Sequence, residues 1–247
     1  PRRLSARTRL IIINHLSNVT GAVADLAAIG NRKGGALLMV DAAQSAGVLP
    51  LEMEACGIDF LAFTGHKGLF GPTGTGGFLL RKGLLLPPLT MGGTGSNSEQ
   101  EEQPQGMPDC HESGTPNTLG IGGLAAGLEF IRQTGREAIR RHEERLTRLL
   151  LAGLSQIKGI TVYGPPAGAG RGSVVSLTMA GRSVADLAFL LDRRFGIMAR
   201  AGLHCTPAAH RSITTFPQGA LRLSPGFFNT EAEIQAVLAA LEQISAG

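Results

Sequence analysis

Lysine stands at only four positions of this 247-residue chain, Lys33, Lys67, Lys82 and Lys158, and one of them is placed for chemistry. Lys67 closes the sequence Thr64-Gly65-His66-Lys67 directly after the apolar run Phe60 to Phe63. A lysine that follows a buried strand is uncommon, because an ammonium group is costly to desolvate. Where it occurs, burial lowers the amine's pKa and leaves a nucleophile suited to forming a Schiff base. The sequence therefore predicts a desolvated, reactive Lys67. Another apolar run, Leu37 to Val40, ends in Asp41-Ala42-Ala43-Gln44; alone, that aspartate reads equally well as a helix cap or a metal ligand. Three cysteines, Cys56, Cys110 and Cys205, are too few and too scattered for a disulfide framework or for paired metal-binding CxxC motifs. Cys56 and Cys110 read as packing or linker residues. Cys205, after His204 in an apolar stretch, reads by itself as buried packing, the usual fate of a free cysteine.

Such residues need elements that bring them together. Leu10 to Ile13, Leu37 to Val40, Phe60 to Phe63 and Gly77 to Leu80 have the length and continuous apolar character of strands in a sheet covered on both faces. Between the first two, Ala22 to Lys33 reads as a helix closed by Gly34-Gly35. Alternation of strand and helix predicts an α/β fold with a mostly parallel sheet, in which ligands sit beyond the carboxyl ends of the strands. Asn14, Asp41 and the Thr64 to Lys67 segment lie at those ends. Leu84 to Pro116 is an irregular connection rich in Gly, Ser, Pro and acidic residues. Leu119 to Phe130 is small and apolar, and Gly135 to Ile157 is an amphipathic helix with a solvated charged face. Strands at Thr161 to Tyr163, Val174 to Met179 and Ala220 to Ser224, with helices at Val184 to Phe195 and Thr230 to Ile244, predict a smaller α+β unit. The expected division is residues 1–118, the later portion of a large domain with its linker, and residues 119–247, the small domain with its connecting helices.

A strand-end aspartate and a strand-end lysine are the parts that a pyridoxal phosphate site requires. The aspartate keeps the pyridine nitrogen protonated so that the ring accepts electrons, and the lysine forms the imine and moves protons. Two glycine patterns compete and fail. Gly120-Ile121-Gly122-Gly123-Leu124-Ala125 fits a dinucleotide fingerprint, but no strand precedes it and a small-residue helix start explains it. Gly71-Pro72-Thr73-Gly74-Thr75-Gly76-Gly77 lacks the Lys-Ser/Thr pair of a P-loop; its glycines read as places where backbone approaches something closely.

In order and spacing, Ser17-Asn18-Val19-Thr20-Gly21, Asp41-Ala42-Ala43-Gln44, Thr64-Gly65-His66-Lys67 and Gly71-Pro72 resemble the class V aminotransferase-fold enzymes. So do Gly114-Thr115-Pro116-Asn117, Arg200-Ala201-Gly202-Leu203-His204-Cys205, and Arg222 ahead of Phe228-Asn229-Thr230-Glu231. Within that family the chain looks like the cysteine desulfurase and selenocysteine lyase branch. The resemblance implies a homodimeric pyridoxal phosphate enzyme. Lys67 would carry the cofactor as a Schiff base, Asp41 would pair with its ring nitrogen and Gln44 with its phenolic oxygen. Thr64 and His66 would hold the phosphate, and Thr115 would reach the phosphate of the other subunit's cofactor. Asn18 would line the substrate side of the ring, Arg222 would fork the substrate carboxylate and Arg200 would lie near it. Cys205 would be the thiolate that takes sulfur, or selenium, from the bound amino acid, leaving a persulfide on the enzyme and releasing alanine. Arg200 and His204 would supply positive charge beside it. A sulfur-acceptor protein is the further partner implied.

The alternatives are a class V transferase or lyase without persulfide chemistry, and a non-catalytic fragment. The resembled chains carry a substantial N-terminal part before the position of Leu10, with a Gly-rich phosphate turn and a ring that stacks on the cofactor. Pro1 to Arg9 is too short to hold these, so the expectation is a piece that by itself binds cofactor weakly and turns over poorly. Composition excludes other classes. The chain is 43% hydrophobic and 17% charged, as globular proteins are, and no apolar run reaches membrane-spanning length. Its net charge of +4 comes without Trp and with one Tyr, which argues against a nucleic-acid surface built on stacking. Neither a secretory signal nor a metal site is visible, and a reducing cytoplasmic setting is expected.

Overall fold

The computed structural model describes residues 4–96, 99–168 and 170–246. The first four apolar runs become β1 (Leu10–Asn14), β2 (Leu37–Asp41), β3 (Phe60–Thr64) and β4 (Gly76–Leu80), adjacent in that order in one sheet. β1, β2 and β3 are parallel, with Asn14 opposite Asp41 and Asp41 opposite Ala62. β4 is antiparallel to β3, because residues 65–75 form a connection too short for a parallel crossover. The carboxyl ends of β1, β2 and β3 therefore share one edge. Leu38, Val40, Ile58 and Leu61 make the buried heart of this layer. The edge strands depart from the expected two-sided burial: Ile12 is 63% and Leu79 52% exposed, since no described element lies on those faces. At the opposite end of the sheet, buried Asp59 accepts hydrogen bonds from Leu38 N (2.8 Å) and Arg81 Nε (2.6 Å) and pairs with Lys33. Burial alone would raise its carboxyl pKa; Lys33, the Leu38 amide and Arg81 outweigh that and hold it below the ordinary range.

The helix expected over Ala22 to Lys33 is shorter, α1 (Leu26–Gly30), capped by the Asp25 side chain, which accepts from Ala28 N at 2.9 Å. Ala22 and Val23 are instead drawn into isolated β-bridges, to Arg171 and Leu16. Residues 84–116 are irregular apart from a 3-10 turn at Asp109–His111. α2 (Thr118–Thr134) and α3 (Arg136–Leu154) follow, joined at Gly135, whose φ of 87° is open to glycine. The Gly120 pattern is the capped start of α2, with Asn117 Oδ1 accepting from Gly120 N.

The C-terminal unit is a fully antiparallel sheet in the order β5-β6-β8-β7, built from β5 (Ile160–Tyr163), β6 (Val175–Met179), β7 (Arg200–Gly202) and β8 (Ala220–Leu223). α3, α4 (Val184–Phe195) and α6 (Glu231–Ala246) pack leucines and isoleucines against Leu177, Leu221 and Leu223 of the strands to make its core. β7 and the short α5 (Pro207–Ser212) were not predicted from the sequence. Among the described residues no helix is long and apolar enough to cross a membrane.

Candidate active site

At the shared edge the chain turns sharply after each strand. Asp41 Oδ1 accepts from Ala43 N at 2.8 Å, which fixes the first turn and leaves the second carboxylate oxygen free of hydrogen bonds within the described chain. The turn after Gln44 and the turn after Lys67 then meet backbone to backbone. A Cβ on Gly47, where φ is +86°, would lie 2.0 Å from Gly68 O, and one on Gly68 would lie 2.6 Å from Ala46 O. Only glycine at both positions allows this approach, and it sets Asp41 and Gln44 relative to Lys67. Further along, a Cβ on Gly65 would collide with Thr75 Oγ1 at 2.1 Å, and one on Gly71 with Leu124 of α2 at 2.8 Å. The glycine-rich segment thus brings backbone close to the chain itself.

A cavity of about 660 Å³ opens at these turns, lined by Asn18, Asp41, Gln44 and Lys67 from the first unit and by Cys205 and Thr206 from the second. Lys67 is exposed at its mouth. The expectation of a desolvated lysine is corrected here: Lys67 is exposed and lines an open hollow. Thr64 Oγ1 and His66 Nδ1 bond each other at 2.8 Å; both stand at the end of β3 but outside the cavity lining. Thr115 lies exposed on the loop before α2, also outside the lining.

Cys205 is the exposed one of three free cysteines. Its Sγ accepts from Arg200 Nη2 at 3.5 Å. Arg200 on β7 stands directly opposite Arg222 on β8, two like charges that a carboxylate placed between them would relieve. Arg222 Nη1 donates to Asn18 O at 3.1 Å, and its Nε is buried without a partner. Burial first, then Arg200, lowers the Arg222 pKa, while Cys205 opposes the shift.

His204 does not supply the charge expected of it. It is 3% exposed, its Nε2 is bonded to Arg200 O at 3.1 Å, and it packs against the buried His210 ring. Burial chiefly, with Arg222, His210 and Arg200 adding to it, pushes its pKa below the usual value despite the bond to the Arg200 carbonyl. The imidazole is therefore neutral near pH 7, and Arg200 alone of the two polarises the thiol. Sequence reasoning also missed His15, whose amide donates to Asp41 O (3.0 Å), and Thr206 and His210. His15 adjoins a strand end and could have been found by that rule; the other two carried no periodic or motif signal.

The donor set suits pyridoxal phosphate: a free carboxylate oxygen for a ring N–H and an accessible amine line one open cavity, and a hydroxyl–imidazole pair for phosphate stands outside that lining at the end of β3, directly before Lys67 in the chain. The family comparison agrees. The chain matches the aminotransferase class V model over residues 1–237 and belongs to that family. Its relatives narrow the class. It is 36% identical over 245 residues to a protein of Methanothermobacter thermautotrophicus named "Probable cysteine desulfurase", covering 96% of this chain and 61% of that one. Among solved structures, the apo cysteine desulfurase of Thermococcus onnurineus NA1 superposes with a TM-score of 0.89 at 33% identity, over 97% of this chain and 60% of that one. The cysteine desulfurase CsdA of Escherichia coli, in an S-sulfonic acid form, gives 0.87 at 30% identity, over 98% and 60%. The chain thus spans about three fifths of the length of these relatives.

Proposed function

We propose that this chain carries the lysine, aspartate and acceptor cysteine of a pyridoxal-phosphate-dependent cysteine desulfurase. One observation carries the reading: Cys205, with Arg200 against its sulfur, lines the same cavity as Lys67 and Asp41. Asp41 would hold the ring nitrogen, Gln44 the phenolic oxygen, Lys67 the aldehyde carbon, and Thr64 with His66 the phosphate. Bound there, the cofactor supplies an electron sink for bonds at the substrate's α-carbon. Arg222 and Arg200 bind and orient the substrate carboxylate through paired N–H donors. Lys67 Nζ, free on the cavity side, moves the proton. Cys205 reacts as the thiolate, favoured by Arg200: its Sγ forms a bond to the substrate sulfur as the sulfur–carbon bond breaks, and the carbon takes up a proton to become the methyl group of alanine.

Selenocysteine in place of cysteine, a homodimer in which Thr115 reaches the partner's phosphate, a sulfur-acceptor protein and a cytoplasmic setting belong to the same reading. Three free thiols support a reducing compartment. The test begins with the visible spectrum after addition of pyridoxal phosphate, followed by borohydride reduction and peptide mapping. The label is expected on Lys67. Cysteine is then expected to yield alanine and sulfide, and Cys205→Ser to cut sulfide release by about 100-fold while leaving the cofactor band unchanged. Label on another lysine, or full sulfide release without Cys205, would overturn the proposal.

A further inference from the structure

The turn that presents Cys205 is strained. His204 and Cys205 both have left-handed backbone, with φ of 51° and 62°, a region that non-glycine residues adopt only where the surrounding structure holds them. Something must hold it. The backbone contributes one bond, Thr206 N to Leu203 O at 2.8 Å. The rest comes from the far side of the cavity. Asn18 Nδ2 donates to His204 O at 2.8 Å. Because that carbonyl can only accept, the Asn18 amide has a fixed orientation, and its Oδ1 faces Thr206 Oγ1 at 3.1 Å. Thr206 Oγ1 also lies 3.1 Å from His204 O, so hydroxyl, amide and carbonyl close a ring around the turn. The Asn18 backbone is anchored in turn: its carbonyl accepts from Arg222, and the next carbonyl, of Val19, accepts from Ser176 Oγ at 2.6 Å. Both ends of the Asn18 amide are therefore engaged with the Cys205 turn, which leaves one N–H and one oxygen lone pair of the amide for the cavity it lines.

Building on the proposed desulfurase reading, we infer that Thr206 is a positioning residue. Its hydroxyl locks the Asn18 amide, and through that amide holds the 204–206 turn so that Cys205 Sγ stays beside Arg200 at the cavity. In this role Thr206 acts through the Asn18 amide rather than on the reacting atoms. The hydroxyl is the active part, so valine, which keeps the shape, removes it and serine restores it.

The experiment compares the protein with Thr206→Val and Thr206→Ser. Hydrogen exchange, which needs no cofactor, is expected to quicken about tenfold at the amides of residues 17–19 and 204–206 together in the valine variant, and to return to within about twofold in the serine variant. With pyridoxal phosphate bound, the valine variant is expected to lose about tenfold in kcat for alanine formation at an unchanged KM for cysteine, with serine again restoring it. Unchanged exchange in the valine variant overturns the clasp. Faster exchange with full kcat overturns the positioning role. If the unsubstituted protein forms no alanine, the desulfurase reading falls instead, and the exchange comparison still decides whether the clasp exists.

Discussion

Lys67 and the three buried histidines make opposite points about charge. Lys67 is open to water, so its suitability for an aldehyde rests on its position at the cavity rather than on burial. His15, His204 and His210 are buried, and burial is the first cause of the lowered pKa of each. A group whose folded pKa lies below its unfolded value, 6.5 for histidine, contributes stability that is whole above pH 6.5 and is lost as pH falls through the folded value. The urea midpoint is therefore expected to decline between pH 7 and pH 5. His210→Asn, which removes one of the three, is expected to flatten that decline; an equally steep fall in the variant would show that the His210 imidazole is not held neutral by its site. Residue identity was legible in the sequence wherever a side chain stood at a strand end, as Asp41 and Lys67 do. Accessibility was not, because it depends on what packs against the side chain in the fold, and for His204 that includes the His210 ring.

The strands of the first sheet begin and end within one residue of the apolar runs that announced them, because short unbroken apolar runs bounded by polar residues or glycine have the length of a buried strand. Elements that depend on distant partners were hidden. Ala22 and Val23 have helix-compatible sequence yet bridge Arg171 and Leu16, and β7 is three residues long, with Arg at one end and Gly at the other. Close approach was half legible: the glycines from Gly71 to Gly77 announced it, but Gly47 and Gly68, where the two turns meet, stand in no pattern that did. The meeting of Gly47 with Gly68 predicts that Gly47→Ala will cost about 2 kcal/mol or more in stability, from a left-handed φ combined with a collision against backbone. Because the same contact spaces Asp41 from Lys67, cofactor affinity is expected to fall with it. Thermal unfolding and titration of the cofactor band measure the two effects, and a variant with both unchanged would show that the turns can separate freely.

Across the whole molecule, two separate apolar cores, one under each sheet, are joined by polar bonds and an aromatic cluster. Phe70, three residues beyond Lys67, meets Phe130 of α2 edge-on at 5.3 Å and Phe228 at 5.6 Å, and Phe130 also contacts Phe227. Phe130→Ala is expected to remove roughly 2–3 kcal/mol, less than a fully buried phenylalanine because the ring is only half-buried. With that joint gone, urea unfolding followed by probes in each sheet is expected to separate into two transitions; a single shared transition would show that the polar bonds alone couple the halves. That the strands fall in two groups was legible as a change in pattern, strand–helix alternation giving way after the irregular connection to a second α+β stretch. How the units meet was not, because the joining residues lie far apart in sequence.

Asn18 bonds residues 186 and 188 positions further along the chain, at His204 and Thr206. A ribosome adds about 5–20 residues per second, so the segment bearing Lys67 leaves the exit tunnel on the order of ten seconds before the one bearing Cys205. In the newborn chain the amine of Lys67 thus stands ready before Cys205 exists, and Asn18 waits without its partners until residues 204–206 have been made.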